Sequence, residues 1–389
     1  MTPRPGPGAA TSMIAGLCAL VMIGIGGYAP SQAADPPFEA YWHDGKAELD
    51  GYRLTVERYG HARRGHAVAI YVTEPFSRSR HVKLDDPAKT PADAVDVLKL
   101  NLVRDFQTGI YDYHTLISLF VQSADFAPLK LAFTGSEWCG QVYEQLDRSG
   151  SRLSQRISSY FEGESIERKL EVPAGGVMED ELFILLRGLR APYLSAGAGR
   201  TVPFLASPFH RRLAHREAAW TSARIERLAR AETITVPAGT FATDIYTVRT
   251  GDGREGRFFV ERAHPHRIVR WAWQPAEAGG RREGTDSAEL TGSRRLEYWR
   301  LHGPGDERLL EQFGLDLPAR PATAAPARPL RAVRRTRPGI RGGRPGAWCR
   351  DRSRDDLFAV DGAASRGRAR VGRSRMLGLG HHRPLSDQS

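Results

Sequence analysis

The residues best suited to covalent chemistry lie in one short segment, TGSEWCGQVYEQL, at positions 134–146. Cys139 could serve as a thiolate nucleophile, with a histidine as its base and Glu137 as the group that orients that base. A reactive thiol needs a helix N-terminus or an adjacent cation to favour the thiolate. The sequence around Cys139 offers neither, and the segment is typical of a strand. We therefore interpret Cys139 as a packed structural thiol, with catalysis as the alternative hypothesis.

Three aromatic residues are candidates for stacking on a flat ligand. Tyr111 and Tyr113 belong to the segment IYDYH, and Trp138 directly precedes the cysteine. Alternation along a strand predicts that Glu137 and Cys139 share one face and that Trp138 points to the other. Alternating aromatic residues in a strand are more often core residues than ligand contacts, so packing is the competing interpretation.

A pair of histidines, His264 and His266, flanks Pro265 and would project from one side of an extended chain, as a metal-binding pair requires. No third ligand follows at a diagnostic spacing, and Arg262 and Arg267 place positive charge beside the pair. A turn before the strand RIVRWAW is the preferred interpretation. No metal or other cofactor is predicted.

The acidic run at positions 179–181 begins the apolar segment MEDELFILLRGL, at positions 178–189, which predicts a helix. Carboxylates in the first turn of a helix stabilise its unpaired backbone N–H groups. We expect this run to cap the helix rather than to supply catalytic acids. Residues 190–212 contain Pro192, Pro203 and Pro208 and are predicted to form a loop.

An apolar stretch at positions 12–28 precedes the small residues Ser31-Gln32-Ala33-Ala34, which match a signal peptidase site. The stretch is shorter than the ~20 residues of a membrane-spanning helix. Residues 1–34 are therefore predicted to be a signal peptide, cleaved after Ala33 or Ala34, with an uncleaved N-terminal anchor as the alternative. Export places the protein in the periplasm or elsewhere in the cell envelope.

Residues 318–389 differ in composition from the rest of the chain. From Arg320 onward there are 17 Arg and 5 Asp but no Lys and no Glu, so the tail accounts for the net charge of +11. The preceding part is close to neutral, and no nucleic-acid partner is expected for it. The Arg/Pro/Gly-rich composition predicts a disordered tail. A reading-frame slip in GC-rich DNA would produce the same contrast, and both explanations stay open.

The elements that would position these residues are strands. From position 40 onward, short runs of Val, Ile, Tyr, Phe and Thr alternate with polar residues and are bounded by Gly, Pro and Asp. This pattern predicts a mainly β fold, an antiparallel curved sheet or incomplete barrel with one or two short helices. HARRG at positions 61–65 and the pair Asp252-Gly253 are predicted hairpin turns. The body divides into a β-rich region, 35–190, and a β-meander region, 191–317, which could share one continuous sheet.

Six blocks, in this order, resemble a group of uncharacterised exported bacterial β-rich proteins: YWHDGKAELDGYRLTVERYG, AIYVTEPF, VLKLN, TGIYDYHTLISLF, EWCGQVYEQL and SYFEGE. The later segment VPAGTFATDIYTVRTGDGREGRFFVERAHPHRIVRW resembles the paired-strand module of a wider group with a domain of unknown function. The resemblance covers roughly residues 40–314 and excludes the tail. It implies an exported β-rich protein without an established activity.

Some members of the group that the chain resembles carry the label "septum formation inhibitor Maf". Maf proteins proper are cytoplasmic nucleotide pyrophosphatases with an N-terminal Ser/Arg-rich phosphate motif on an α/β fold. The nearest phrase in this chain, FSRSRH at positions 76–81, lies in a predicted loop. A nucleotide pyrophosphatase activity is therefore not expected, and we interpret the label as a transfer error.

Two classes of function follow from these patterns. The first is non-enzymatic binding of a lipid, a lipoprotein or another envelope component, for which a continuous apolar cavity in the concave face of the sheet is expected. The second is a hydrolase or transferase with a site around Glu137 and Cys139, for which a polar cleft with titratable groups in hydrogen-bond reach is expected. Weak enzymatic motifs throughout the chain favour the first class.

Overall fold

A computed structural model describes Met1, residues 35–276 and residues 285–315. The predicted signal peptide and the predicted disordered tail lie outside the described residues, apart from Met1. No helix within the described ranges is both long enough and apolar enough to cross a membrane.

The described residues build one large sheet of 16 strands. Its order is β8-β7-β6-β5-β4-β3-β2-β1-β16-β15-β14-β13-β11-β10-β9, and β12 pairs with β13. The described pairings are antiparallel, apart from β9 with β10. The strands are β1 (Ala47–Arg58), β2 (His61–Ser77), β3 (Ala94–Thr108), β4 (Tyr111–Gln122), β5 (Pro128–Glu137), β6 (Gly140–Ser149), β7 (Arg152–Ser159), β8 (Ile166–Glu171), β9 (Val177–Met178), β10 (Gly199–Leu205), β11 (Trp220–Arg227), β12 (Glu232–Val236), β13 (Gly239–Thr250), β14 (Arg254–Glu261), β15 (Ile268–Pro275) and β16 (Asp286–Leu296).

The helices of the described residues are short. Three are α-helical: α1 (Phe38–Trp42), α2 (Leu182–Leu185) and α3 (Pro208–Leu213). Four are 3₁₀ segments: Pro87–Lys89, Glu179–Glu181, Tyr298–Arg300 and Asp306–Phe313. The predicted mainly β, antiparallel, curved fold with few short helices is therefore confirmed.

Alternation along the strands directs one face of the sheet inward. In β4, the buried residues Tyr113, Thr115, Ile117, Leu119 and Val121 alternate with less buried neighbours. This period of two follows from the pleat of an extended chain. The inward faces of β1 to β7 and β13 to β16 contribute to one continuous apolar core.

The sheet curves around α2, because strands on both sides of its centre reach the same residue. Phe183 packs edge-on against Trp271 of β15 and Phe258 of β14, with ring centroids 5.1 and 5.8 Å away. From β2, the hydroxyl of Tyr71 donates a hydrogen bond of 3.2 Å to the carbonyl of Phe183. The sheet nevertheless stays open, since its end strands β8 and β9 are not paired with each other.

Helix α3 fills another part of the concave face. The guanidinium of Arg104, on β3, lies 4.3 Å from the centre of the Phe209 ring. From α3, Arg211 forms an ion pair of 2.7 Å with Glu144 on β6. Helices α2 and α3 and their neighbours therefore occupy much of the interior of the sheet.

A second, smaller core lies on the outer face of β1 and β2. Leu49 and Val72 cluster there with Phe313 and Leu315, at the end of the last 3₁₀ segment. The paired glycines Gly51 and Gly292 allow the backbone of that segment to lie directly on the sheet.

Several element boundaries differ from the predictions. HARRG belongs to β2, and the hairpin turns earlier, at Tyr59–Gly60, because these residues take the left-handed conformation with φ of 55° and 71°. The predicted helix 178–189 is a short strand, a 3₁₀ turn and the four-residue α2. The predicted loop 190–212 contains β10 and most of α3. Asp252-Gly253 does connect two strands, as predicted.

Candidate functional site

A pocket with a volume of about 550 Å³ lies where four segments distant in sequence meet. We call it the His264 pocket. Its walls are the N-terminal segment with α1, the residues after α2, the side chains of β11 and β13, and the turn after β14. The lining residues are Asp35, Pro36, Pro37, Phe38, Glu39, Tyr41, Trp42, Leu186, Arg187, Gly188, Leu189, Arg190, Ala191, Pro192, Arg227, Asp244, Tyr246, Val260, Glu261, Arg262, His264 and His266.

A buried arginine holds the floor of this pocket. Arg187 donates hydrogen bonds to the carbonyls of Pro265 (2.8 Å) and His266 (3.1 Å), which fixes the turn that carries both histidines. Its charge is balanced by Glu48 on β1, at 2.7 Å. The guanidinium also lies over the ring of Tyr71, 4.4 Å from its centre. These contacts make the turn after β14 a rigid part of the pocket wall.

The two histidines point to different partners. His266 forms an ion pair with Asp35, with 3.0 Å between Nε2 and Oδ2. His264 packs edge-on against Tyr41, and the two imidazole centroids are 6.1 Å apart. Burial lowers the pKa of His264, which favours its neutral form. Within the described ranges, no group of three or more His, Cys, Asp or Glu side chains is arranged to hold a metal ion. As predicted from the sequence, the pair lies in a turn before a strand.

Arginine–carboxylate pairs line the remaining wall. Arg190 forms an ion pair of 2.8 Å with Glu39 and lies 4.0 Å from the centre of the Phe38 ring. Arg227 and Arg262 both approach Asp244, at 2.8 and 3.7 Å. The pocket therefore offers alternating charges beside aromatic surface. Such a lining can orient a polar group by hydrogen bonds and stack on a flat or apolar one.

The predicted catalytic pair around Cys139 is not assembled. Cys139 and Trp138 form the turn between β5 and β6, and both are exposed. The expectation of a packed thiol within a strand is therefore wrong, because the strand ends at Glu137. The Glu137 carboxylate instead forms an ion pair of 3.0 Å with Arg212 of α3. This contact ties the rim of the sheet to α3 and leaves that carboxylate no free role as an orienting group.

The two candidate tyrosines mainly pack. Tyr113 is buried and stacks on Phe106, with ring centroids 4.7 Å apart. Its hydroxyl lies 2.9 Å from that of Tyr59 and accepts hydrogen bonds from Arg58. Burial is the main cause that raises the pKa of Tyr113. Tyr111 is half-buried, and its ring lies 5.9 Å from that of Tyr113. This arrangement fits the packing interpretation better than a stacking platform.

The acidic run Glu179–Glu181 is buried inside the sheet, which its sequence did not indicate. Glu179 forms a bidentate ion pair with Arg254, at 2.7 and 3.1 Å. Asp180 accepts a hydrogen bond of 2.9 Å from the Ser207 hydroxyl. Glu181 accepts one of 2.8 Å from the backbone N–H of Met178. Only this last contact is the cap that was predicted.

Burial gives several interior carboxyls unusual pKa values. It raises the pKa of Asp180 to about 7, aided by the negative charge of Glu179. It also raises the pKa of Glu181 to about 7 and that of Asp50, beside Glu48, to about 8. Perturbed carboxyls often mark active sites. Neither Asp180 nor Glu181 lines a described pocket, so a structural role is the better account of both.

Comparisons with known proteins add little to this geometry. No family model matches the chain, and no curated protein matches it. A solved structure, the crystal structure of a β-barrel-like protein of domain of unknown function DUF1849 from Brucella abortus, is similar at a TM-score of 0.38 and 8% identity. The match covers 64% of this chain and 98% of that one. A likeness of this size supports no conclusion about function, so membership of the exported β-rich group stays a prediction.

Proposed function

We propose that this chain is an exported, non-enzymatic binding protein of the cell envelope, and that the His264 pocket holds the polar part of its ligand. The ligand class is a lipid, a lipoprotein or another envelope component. The observation that carries the proposal is the lining itself, which joins aromatic rings to paired arginines and histidines in one cavity.

The size of the pocket suits a ligand group. Small-molecule sites have volumes of roughly 300–1,000 Å³, and the His264 pocket has about 550 Å³. Tyr41, which is partly exposed, supplies apolar contact area above the core residues Phe38 and Trp42, while Arg190 and Arg262 supply charge-assisted donors. A head group with anionic and hydroxyl substituents would exchange with the carboxylates that now pair with these arginines.

The lining meets one expectation of the hydrolase alternative, because it places His266 and Asp35 in hydrogen-bond reach, but it does not hold the side chains most often used for covalent catalysis. Its residues include no Ser, Thr, Cys or Lys, the usual nucleophiles of covalent catalysis. Helices α2 and α3 occupy much of the concave face of the sheet, and the described pocket beside α3, lined in part by Phe133, Val142 and Ile157, has a volume of only about 280 Å³. The polar part of the ligand is therefore the part that the His264 pocket can recognise.

A charge reversal in the pocket tests the proposal. Arg262 and Arg257 are matched, since their side chains are 53% and 47% exposed and each pairs with one carboxylate. Arg262 lines the pocket, whereas Arg257 does not. We expect Arg262→Glu to lower the ligand retained per protein about tenfold, because a lost charge-assisted hydrogen bond costs about 1.5–3 kcal/mol. Arg257→Glu should retain the ligand.

The measurement is mass spectrometry of small molecules that co-purify with the full chain from its native envelope. A ligand that is depleted by Arg262→Glu and kept by Arg257→Glu supports the proposal. Equal retention in both variants would place the ligand elsewhere. Turnover of an ester or peptide library with no retained ligand would contradict a non-enzymatic role.

A further inference from the structure

Four large apolar side chains are exposed at the turns of successive hairpins. Tyr59 is 48% exposed, Ile110 81%, Trp138 69% and Tyr160 72%. They lie in the turns that follow β1, β3, β5 and β7. Turn positions usually carry Gly, Asn, Asp or Ser. Large apolar residues at four such positions therefore call for an explanation other than turn formation.

The up-and-down path of the chain brings these turns to one edge. Strands β1 to β8 are neighbours in sequence order and pair antiparallel. Every second turn of such a meander lies at the same end of the sheet. We call the row of Tyr59, Ile110, Trp138 and Tyr160 the aromatic rim.

Contacts between neighbouring turns support this row. The Tyr160 ring lies against the turn of Trp138, where a Cβ added to Gly140 would come within 2.5 Å of that ring. The hydroxyl of Tyr59 lies 2.9 Å from that of Tyr113, on the hairpin that carries Ile110. The four side chains thus lie on adjacent hairpins rather than on separate parts of the surface, and one face of the Tyr59 ring is covered by the guanidinium of Arg58, 4.2 Å from the ring centre.

The backbone of the rim is compatible with a poorly hydrated environment. The hairpins are paired up to the turn, with Arg58 opposite His61 and Thr108 opposite Tyr111. Glu137 is likewise opposite Gly140. The N–H and carbonyl groups of such a hairpin are hydrogen-bonded to each other, so they keep their partners when the hairpin enters a membrane interface.

The chemistry of the rim fits a lipid bilayer surface. Trp and Tyr favour the boundary between head groups and acyl chains, because their rings are apolar and carry a polar atom. The exposed charges near the turns are mixed, with Arg64 against Asp112 and Glu162. Docking on anionic lipid would call for a cluster of Lys and Arg, so a neutral bilayer should suffice.

We infer that the aromatic rim docks the protein on a lipid bilayer, with the four side chains entering the interfacial region. A protein partner would need a pocket or matching surface at the protruding turns, whereas a bilayer deforms around them. This surface is separate from the His264 pocket, and the inference does not depend on the ligand proposed there.

A site-specific label tests the inference in the full chain. The sequence has three cysteines, so Cys18→Ser and Cys349→Ser leave Cys139, in the rim, as the single thiol. A dye on Cys139 is mixed with phosphatidylcholine vesicles that contain nitroxide-bearing lipid. We expect the nitroxides to quench about half or more of the emission, because interfacial side chains lie ~5–10 Å inside the surface. High salt should not change the quenching.

Two controls test whether the quenching is specific to the aromatic rim. In the first, Cys139→Ser and Val82→Cys move the dye to an exposed residue in the loop after β2, at the other end of the strands, where no quenching is expected.

In the second control, the dye stays on Cys139 while exposed apolar residues are replaced by serine. Tyr59→Ser, Ile110→Ser and Tyr160→Ser together should lower the quenching to the level of the Val82 dye. Leu228→Ser, Trp299→Ser and Leu301→Ser together, which change comparable exposed residues elsewhere, should not.

The comparison of quenching at Cys139 and at Val82 tests the inference even if the serine variants fold poorly. Equal quenching at Cys139 and Val82 in the otherwise unchanged chain would overturn it. Quenching that survives the three rim substitutions, or that disappears in high salt, would also overturn it. A dye response to added envelope protein but not to vesicles would identify the rim as a protein contact instead.

Discussion

At the scale of single residues, the interior of this sheet is notable for its charges. Arg187 meets Glu48 at 2.7 Å, and Arg104 meets Asp286 at 3.1 Å, with all four side chains nearly inaccessible to water. Asp286 also accepts a hydrogen bond from the Trp271 indole at 2.9 Å. Ion pairs desolvated in this way give little net stability, but removing one partner is costly. Their effect is to determine where α2 and its neighbours lie in the sheet.

The first residue-scale prediction concerns the pair of Glu48 and Arg187. We expect Glu48→Gln to lower the free energy of unfolding by about 3–5 kcal/mol, because it leaves the buried guanidinium without its nearest charged partner. Urea denaturation followed by circular dichroism measures the change. Glu171→Gln is the matched control, since Glu171 pairs with Arg152 in an exposed site. It should change stability by less than about 1 kcal/mol. A similar loss in both variants would contradict the argument.

Sequence patterns could not locate these residues. Arg187 lies in RGLR, which resembles the ordinary basic end of a helix, and Glu48 lies in a strand like many exposed acids. Their contact joins residues that are far apart in the sequence and depends on the curvature of the sheet. The His264 pocket could not be predicted from the sequence for the same reason, because its four walls come from distant segments with no shared motif. His264 and His266 were singled out from sequence, but the aspartate and tyrosine that contact them were not.

At the scale of elements, period-two alternation predicted most strands correctly, since the concave face is apolar along β1 to β7. The prediction from alternation was wrong where a turn carries large side chains. Trp138 and Cys139 continue the alternation of β5, so the turn that they form between β5 and β6 could not be recognised from the sequence. The loop predicted for residues 190–212 was wrong for the opposite reason. Its prolines indicate a loop, although Pro208 begins α3, a position where proline is favoured.

Two paired glycines provide the element-scale prediction. A Cβ at Gly51 would lie 2.8 Å from the Cβ of Phe313, and one at Gly292 would lie 2.9 Å from its Cα. We expect Gly51→Ala or Gly292→Ala to displace the 3₁₀ segment Asp306–Phe313 and to cost about 1–3 kcal/mol, as overpacking does. Hydrogen exchange should rise in that segment.

Gly303→Ala is the control for the glycine pair. A Cβ there would come no closer than 3.4 Å, to a flexible carboxylate. Stability and exchange should stay near those of the unchanged chain. If Gly292→Ala behaves in the same way, the segment does not depend on direct contact with the sheet.

At the scale of the whole molecule, the buried carboxyls predict how stability changes with pH. The raised pKa values of Asp50, Asp180 and Glu181 mean that the folded state binds more protons than the unfolded state between about pH 4 and pH 8. Their contribution is complete below pH 4 and is lost as pH rises through 7 and 8. Glu179 and Asp252 act in the opposite direction in acid. Burial alone would raise their pKa values, but the charge of Arg254 and the hydrogen bonds to both carboxylates outweigh burial and lower them.

The expected outcome is a stability maximum near about pH 5 and a decline towards pH 8. Thermal unfolding across this range measures it. Asp180→Asn keeps the hydrogen bond with Ser207 but removes the titration, while Glu179, Arg104 and Arg211 remain around it. Between about pH 5 and 7 this variant should flatten the decline by up to about 1.4 kcal/mol per pH unit. An unchanged slope would show that Asp180 ionises as it does in the unfolded chain.

The pairing of β1 with β16 has a consequence for how the polypeptide is made. During translation β1 emerges early and can pair with β2 at once, but its other edge stays open until residues 286–296 leave the ribosome. The Tyr52 hydroxyl likewise awaits the carbonyl of Ile268, 216 residues further along the chain. An unpaired edge strand is a template for aggregation, and contacts this distant form slowly. Until β16 is available, the open edge of β1 therefore exposes the chain to aggregation.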